Sequence, residues 1–192
     1  MKIIGITGRS GSGKSYITSL LCKSVTGSIE IDCDKIYNEK ICVLPEFLAE
    51  IKNEFGDKAI QSHKLNKDYL RDIVFCDNEK LKKLNTIAHK YVTLEVKNTI
   101  NNQNCDYAFI NAPQLFESGL NLICDKTIAV ITTPETEIKR IVSRDNISPK
   151  KATERLSNQF QNEYFRENCD FIFENNDENA DITDLINYIE RI

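Results

Sequence analysis

Residues 8–15 read Gly-Arg-Ser-Gly-Ser-Gly-Lys-Ser, directly behind the apolar run Ile3-Ile4-Gly5-Ile6-Thr7. A short buried-strand pattern thus feeds a glycine-rich turn, and an apolar helical stretch carrying Ile17, Leu20 and Leu21 follows it. Strand, turn and helix in that order are the context of a phosphate-binding P-loop. Gly8, Gly11 and Gly13 permit backbone conformations closed to other residues and let amide N–H groups approach phosphate oxygens. The helix behind the loop offers free donors and a partial positive charge to the same anion. Lys14 is placed to reach the β- and γ-phosphates, and Ser15 to put its hydroxyl on Mg²⁺. A Gly/Ser-rich turn with an incidental lysine is the bland alternative, and the flanking strand and helix weigh against it. The chain is therefore expected to bind a nucleoside triphosphate, with Gly11, Ser12, Gly13, Lys14, Ser15 and Tyr16 against it.

A length of 192 residues suits one α/β domain with a sizeable core and is short for two independent ones. The net charge is −4 with acids and bases interspersed, which argues against a nucleic-acid partner and leaves room for a local basic site. Seven cysteines, at 22, 33, 42, 76, 105, 124 and 169, show no Cys-x-x-Cys spacing, and the odd count fits reduced thiols in a cytoplasmic protein. With only His63 and His89, a His/Cys zinc site is not expected. Nothing at the N-terminus resembles a signal peptide and no apolar run reaches membrane-spanning length, so no membrane partner is expected.

Strand-like runs recur at 2–7, 28–31, 106–110, 126–131 and 170–173, separated by helical stretches. That alternation predicts an α/β, three-layer fold: a parallel sheet of about five strands with helices on both faces. Residues 79–103 form the longest helical pattern, with Leu81, Leu84, Ala88, Tyr91 and Glu95 on one stripe. Residues 45–76 read as shorter helices, one opening at Pro45 and closing at Phe55-Gly56. Together 36–103 insert a helical block between the second and third strands. Thr133-Pro134 and Ser148-Pro149 each read as a cap followed by proline at the first helical position. They open helices over 134–144 and 149–165, separated by Asp145-Asn146-Ile147. A last helix over 181–191 carries Ile182, Leu185, Ile186 and Ile189 on one face.

A P-loop alone leaves kinases, GTPases and ATPases open. The second strand, Ile29-Glu30-Ile31-Asp32-Cys33-Asp34, ends with two carboxylates at the carboxyl edge of the sheet, where ligands of open α/β sheets collect. One of them can orient or deprotonate an attacking hydroxyl; either can equally cap a helix over 35–40. Arg140 and Arg144, four apart, share a helix face, and Arg155, Lys150 and Lys151 lie on the next helix. Such arginines suit a helical lid over a triphosphate, against the alternative of a solvated charged face. Asn66-Lys67-Asp68 approaches the guanine-reading Asn-Lys-x-Asp, but Tyr69 stands where its Asp belongs and no Asp-x-x-Gly follows the third strand. A regulatory GTPase lacks its two other signatures.

The chain resembles the dephospho-CoA kinases nearly end to end. The likeness rests on Gly8 to Ser15, on Ile31-Asp32-Cys33-Asp34-Lys35-Ile36, and on Phe55-Gly56 followed by Leu70-Arg71-Asp72-Ile73-Val74-Phe75. It continues through Ala88-His89, Pro113-Gln114-Leu115-Phe116-Glu117-Ser118-Gly119-Leu120 and Cys124-Asp125. Thr133-Pro134-Glu135-Thr136, Arg140, Arg144-Asp145, Arg155-Leu156 with Gln159, and Asp170-Phe171-Ile172 with Asn175 complete it. The resemblance implies ATP-dependent phosphorylation of the ribose 3′-hydroxyl of dephospho-CoA, with ATP and Mg²⁺ as cofactors. It implies Asp34 as catalytic base, Lys14 and Ser15 as phosphate and Mg²⁺ ligands, Arg140 with Arg144 as lid arginines on the ATP phosphates, and Asn175 near the adenine. Asp32, Arg71, His89, Leu115 and Phe116 fall where the family binds dephospho-CoA. The core would then be 1–35, 104–133 and 166–192, the CoA-binding insert 36–103 and the lid 134–165, in a monomer or weak homo-oligomer.

Several positions depart from the family pattern. Asn111 stands where an Asp usually ends the third strand and helps hold the Mg²⁺ shell; an amide contributes no charge there, leaving Asp32 or Glu117 to compensate. Gln114 replaces a usual Leu, Lys67 a usual Arg, Lys90 a usual Pro and Phe165 a usual Lys. The alternatives are another small-substrate P-loop kinase, acting on a nucleoside or nucleoside monophosphate, and a degenerate nucleotide-binding module.

Overall fold

The computed structural model describes residues 1–75, 77–176 and 180–192; of the seven cysteines, Cys76 lies outside them. The chain divides into two compact units, residues 1–31 with 104–192, and residues 32–103.

The first unit is built on a five-stranded sheet. Strand β1 (Lys2–Thr7) leads to helix α1 (Lys14–Ser24), and β2 (Ser28–Asp32) leads out of the unit. The chain returns in β5 (Tyr107–Asn111) and continues through β6 (Lys126–Ile131), helices α6 (Pro134–Asp145), α7 (Pro149–Ser157) and α8 (Asn162–Asn168), strand β7 (Phe171–Glu174) and helix α9 (Thr183–Glu190). The sheet order is β2-β5-β1-β6-β7. β1 runs parallel to β5, with Ile4 opposite Phe109, and parallel to β6, with Ile6 opposite Ile128. Its last four residues are all buried, as a central strand covered on both faces requires. Because β5 and β2 lie to one side of β1 and β6 and β7 to the other, the carboxyl end of β1 is the switch point of the sheet, where a crevice forms. Residues 8–13 occupy it. One face is sealed by Ile17 and Leu21 of α1 and Leu185 and Ile189 of α9 against Ile4, Ile6, Phe109, Ile128 and Val130. On the other, Phe165 of α8 packs on Ala129 and Ile131.

The second unit carries helices α2 (Cys33–Glu39), α3 (Pro45–Phe55), α4 (Lys67–Phe75) and α5 (Asn78–Asn101), with a small hairpin of β3 (Ile60–Gln61) and β4 (Lys64–Leu65). Phe47 is fully buried, its ring edge-on to Tyr37 and Tyr91 at centroid distances of 6.1 and 5.4 Å.

Three expectations change. The helix expected over 149–165 breaks into α7 and α8. Asn158 turns its amide back onto the Glu154 carbonyl at 3.1 Å, and Gln159 leaves the helix to bond Ser10. The stripe expected on the longest helix rotates: α5 packs against α2, α3 and α4 and buries Ile87, Val92 and Val96, while Leu81 stays 39% exposed. The β3–β4 hairpin was not expected, since its two turn residues, Ser62 and His63, have φ of 50° and 59° without the Asn or Gly that favours such turns. Cys22, Cys33, Cys42, Cys105, Cys124 and Cys169 are free thiols. Among the described residues, no helix is long and apolar enough to cross a membrane.

Candidate active site

Helix α1 begins on Gly13, whose φ of 92° puts it in the left-handed region and which brings no side chain to cap the first turn. A helix start without a side-chain cap can offer the N–H groups of its first turn to an incoming anion. Asn175 is the reason no larger residue fits: its Nδ2 would lie 2.2 Å from a Cβ at Gly13. Gly11, with φ of 81°, meets the same limit from helix α6, where the Glu137 carbonyl oxygen would stand 2.6 Å from its Cβ. The loop is thus clamped between β7 and α6 by backbone approaches that only glycine permits.

A cleft of about 540 Å³ opens over this loop, lined by Gly11, Gly13, Lys14, Ser15 and Tyr16 below and by Thr136, Lys139, Arg140, Ser143 and Arg144 of α6 on one side. Thr133 caps α6 through the Thr136 N–H and Pro134 follows it, so the capping pattern expected at that helix start is the one formed. Arg9 and Asn176 complete the lining. Five of these residues are cationic (Arg9, Lys14, Lys139, Arg140 and Arg144) and none is a carboxylate. In a chain of net charge −4 that concentration makes a local well for a polyanion.

Arg140 is held in place. Its guanidinium donates to the carbonyls of Gly11 and Ser12 at 3.3 and 3.2 Å and to that of Asn175 at 3.3 Å. Arg144 and Arg155 both grip Asp145, whose carboxyl the Arg144 and Arg155 hydrogen bonds hold far below the usual carboxylate range. Of the basic residues expected on the lid, Arg155 therefore supports Arg144 and does not line the cleft. Gln159 reaches the loop from the α7–α8 connection, accepting from the Ser10 N–H at 2.9 Å and donating to its hydroxyl at 3.0 Å.

Arg9 and Glu137 form the contact that sequence reasoning missed. The guanidinium lies 3.2 Å from the carboxylate, with side-chain exposures of 5% and 0%. Arg9 also donates to the Leu156 carbonyl of α7 at 3.0 Å. Among the described residues, neither carboxylate oxygen of Glu137 accepts a hydrogen bond. Burial pushes the Glu137 carboxyl up to about 7, against the pull of Arg9. Nothing in the local sequence pairs residue 9 with residue 137. Lys139 and Ser143 were legible, since 136, 139, 140 and 143 share one helix face.

Ser15 stands in the first turn of α1. Its hydroxyl accepts from Asn111 Nδ2 at 3.2 Å, and the same nitrogen donates to Glu30 Oε1 at 3.1 Å. Hydroxyl and carboxylate oxygens are the donors a magnesium ion prefers, and that ion commonly uses few protein ligands beside substrate phosphates. The residues present therefore fit it: Ser15 would hold the ion, with Asn111 and Glu30 behind it. Among the described residues, no group of three His, Cys, Asp or Glu side chains could hold a metal by itself.

Ser12 is buried beneath the loop, its hydroxyl without a partner among the described residues and its carbonyl accepting from Arg140 and Asn175. Asn175 is also buried and holds the loop from below; its neighbour Asn176 is the one that lines the cleft. Leu115 is fully buried and would lie 2.7 Å from a Cβ at Gly5, so it anchors the 113–120 turn. Phe116 is half-buried, edge-on to Tyr164 at 5.5 Å. In the second unit Asp32 caps α2 by accepting from the Lys35 N–H at 2.9 Å, and Asp34 follows in the first turn with its side chain exposed. His89 is half-buried on α5, and Arg71 is exposed on α4 beside Asp68 at 3.0 Å.

A profile of the dephospho-CoA kinase family matches residues 2–181. A dephospho-CoA kinase from Fusobacterium nucleatum is 34% identical over 192 residues, covering 98% of this chain and 95% of its own length. Among solved structures, a protein from Thermus thermophilus aligns over 99% of this chain and 95% of its own at 27% identity and a TM-score of 0.80. A dephospho-CoA kinase from Campylobacter jejuni aligns over 100% and 96% at 27% identity and a TM-score of 0.66. With the loop, the basic cleft and these likenesses together, the chain belongs to the dephospho-CoA kinase family.

Proposed function

We infer that this chain transfers the γ-phosphoryl group of ATP to the ribose 3′-hydroxyl of dephospho-CoA, the step that completes coenzyme A. The observation that carries the nucleotide half is the cleft over residues 11–16, lined by five cations and closed to larger residues at Gly11 and Gly13. Lys14 and the first turn of α1 bind the phosphates. Arg140, pinned to the loop carbonyls, stands where charge develops on the transferred group and offsets it without having to reorganise. Arg144 and Lys139 close the same side of the cleft and help exclude water.

Asp34 is the proposed base. The helix start that Asp32 caps leaves the Asp34 carboxylate in the first turn of α2 with its side chain exposed. It accepts the proton of the 3′-hydroxyl as that oxygen attacks the γ-phosphorus; the bond from phosphorus to the bridging oxygen breaks and ADP leaves. His89, Arg71 and Phe116 are proposed to hold dephospho-CoA, within a CoA-binding segment 36–103, and 134–165 is proposed as the lid. Ser15 would hold Mg²⁺, with Asn111 and Glu30 behind it, and the ion would supply positive charge against the negative charge that develops on the phosphates. A cytoplasmic location is proposed with this activity, since its substrates are small charged metabolites.

The test measures ADP release from ATP with Mg²⁺ and dephospho-CoA, beside adenosine, AMP and CMP, with product masses recorded. A product one phosphate heavier than dephospho-CoA, and no product with the others, is expected. Asp34→Asn run in parallel should transfer at least about 100-fold more slowly while still binding ATP. Transfer to AMP or CMP in place of dephospho-CoA would overturn the assignment.

A further inference from the structure

We propose that Glu30 supplies the carboxylate of the magnesium shell in this chain, acting through Asn111 as a positioning residue. This deepens the kinase reading and rests on it for the presence of a metal–nucleotide complex.

Magnesium sites on nucleotides commonly draw on one or two protein carboxylates besides the phosphates. Among the described residues, the cleft over the loop is lined by five cations and by no carboxylate. The residue at the end of β5, which adjoins β1 and faces Ser15, is the neutral Asn111. Its amide nitrogen nonetheless touches a carboxylate, because it donates to Ser15 Oγ at 3.2 Å and to Glu30 Oε1 at 3.1 Å. One amide therefore separates the hydroxyl that would ligate the ion from a full negative charge on β2. Among the other acids, Asp32 is engaged as the cap of α2.

Glu30 also decides how Asn111 points. An ionised carboxylate only accepts, so the amide must turn its NH₂ toward it, and the same NH₂ then meets the Ser15 hydroxyl. A hydroxyl has two lone pairs and one proton. One lone pair takes the Asn111 N–H, and the other remains for a cation. The carboxylate lies beyond, where waters of a hydrated magnesium ion can donate to it. Asn111 is 2% exposed, so the bridge is fixed by packing, while Glu30 reaches in from the exposed side of an edge strand. Outer partners of this kind typically change metal affinity by about 10–100-fold when removed.

The probe is Mn²⁺ bound to the whole protein with a non-hydrolysable ATP analogue, followed by electron paramagnetic resonance, beside binding of the analogue without metal. Glu30→Gln is expected to weaken Mn²⁺ about tenfold while leaving metal-free analogue binding unchanged. The exchange variant Glu30→Gln/Asn111→Asp puts the carboxylate at 111 and an amide donor at 30, and should return Mn²⁺ affinity to within about threefold of the parent. Rescue by the exchange is what a merely structural Glu30 would not produce. Mn²⁺ affinity unchanged in Glu30→Gln, or an exchange variant as weak as Glu30→Gln, overturns the proposal. If the parent binds the analogue equally well with and without Mn²⁺, the magnesium role of Ser15 fails with it. A failure of the kinase reading would show separately, as no phosphorylated dephospho-CoA.

Discussion

Glu137 is the residue whose chemistry depends most on its surroundings. It is fully buried and its carboxyl is raised from 4.5 to about 7 by burial, with Arg9 pulling the other way. A raised carboxyl means that the folded chain holds a proton which the unfolded chain has released between about pH 4.5 and 7. Its contribution is therefore complete below pH 4.5 and is lost as the pH rises through 7. Glu137→Gln removes this titration and keeps the shape. The stability of the parent minus that of the variant should fall by about 2–3 kcal/mol from pH 4.5 to pH 8, measured by chemical denaturation at each pH. A difference independent of pH would show that Arg9 holds the carboxylate ionised throughout. Because Arg9 lines the cleft and also bonds the Leu156 carbonyl, the pair links the loop to both α6 and α7.

Among the elements, α1 is the one whose start is set by a neighbour. Gly13 begins it at positive φ, and the Asn175 amide occupies the space a side chain would need. Gly13→Ala combines left-handed strain, about 1–3 kcal/mol, with a clash against a buried amide that itself holds the Ser12 carbonyl at 2.7 Å. Binding of ATP, followed by titration calorimetry, should weaken at least about 100-fold, which at about 1.4 kcal/mol per tenfold corresponds to the upper part of that strain. The α7–α8 break follows the same logic: Gln159 is worth more to the loop, through two hydrogen bonds to Ser10, than as one further helical residue.

At the scale of the whole molecule, two compact units carry different chemistry. The unit of residues 1–31 and 104–192 contains the cationic cleft, and the unit of residues 32–103 contains Asp34, Arg71 and His89. Ligands should therefore protect different segments in amide hydrogen exchange. An ATP analogue is expected to slow exchange over 8–16 and 134–144, and dephospho-CoA over parts of 33–101 that include the helices of Arg71 and His89. Protection of 33–101 by the nucleotide alone, with none from dephospho-CoA, would overturn the proposed division of labour.

The amino-acid sequence by itself determined the P-loop, the five strands, their parallel arrangement and the caps at Thr133 and Ser148. Those features follow from local rules, namely apolar runs of strand length, glycines at a phosphate turn and a capping side chain followed by proline. Arg140 and Arg144 could be placed together because four residues of helix bring them to one face. Only the tertiary structure decided the Arg9–Glu137 pair, the grip of Gln159 on Ser10 and the bridge from Glu30 through Asn111 to Ser15. Each of these joins residues about eighty or more apart in the chain, and no local propensity or periodicity carries information about such pairs. It also decided that Asp32 caps a helix and that Leu115 and Asn175 are buried supports. In a close-packed interior the same side chain serves a ligand or a neighbour according to which one fills the adjoining space, and that is set by packing.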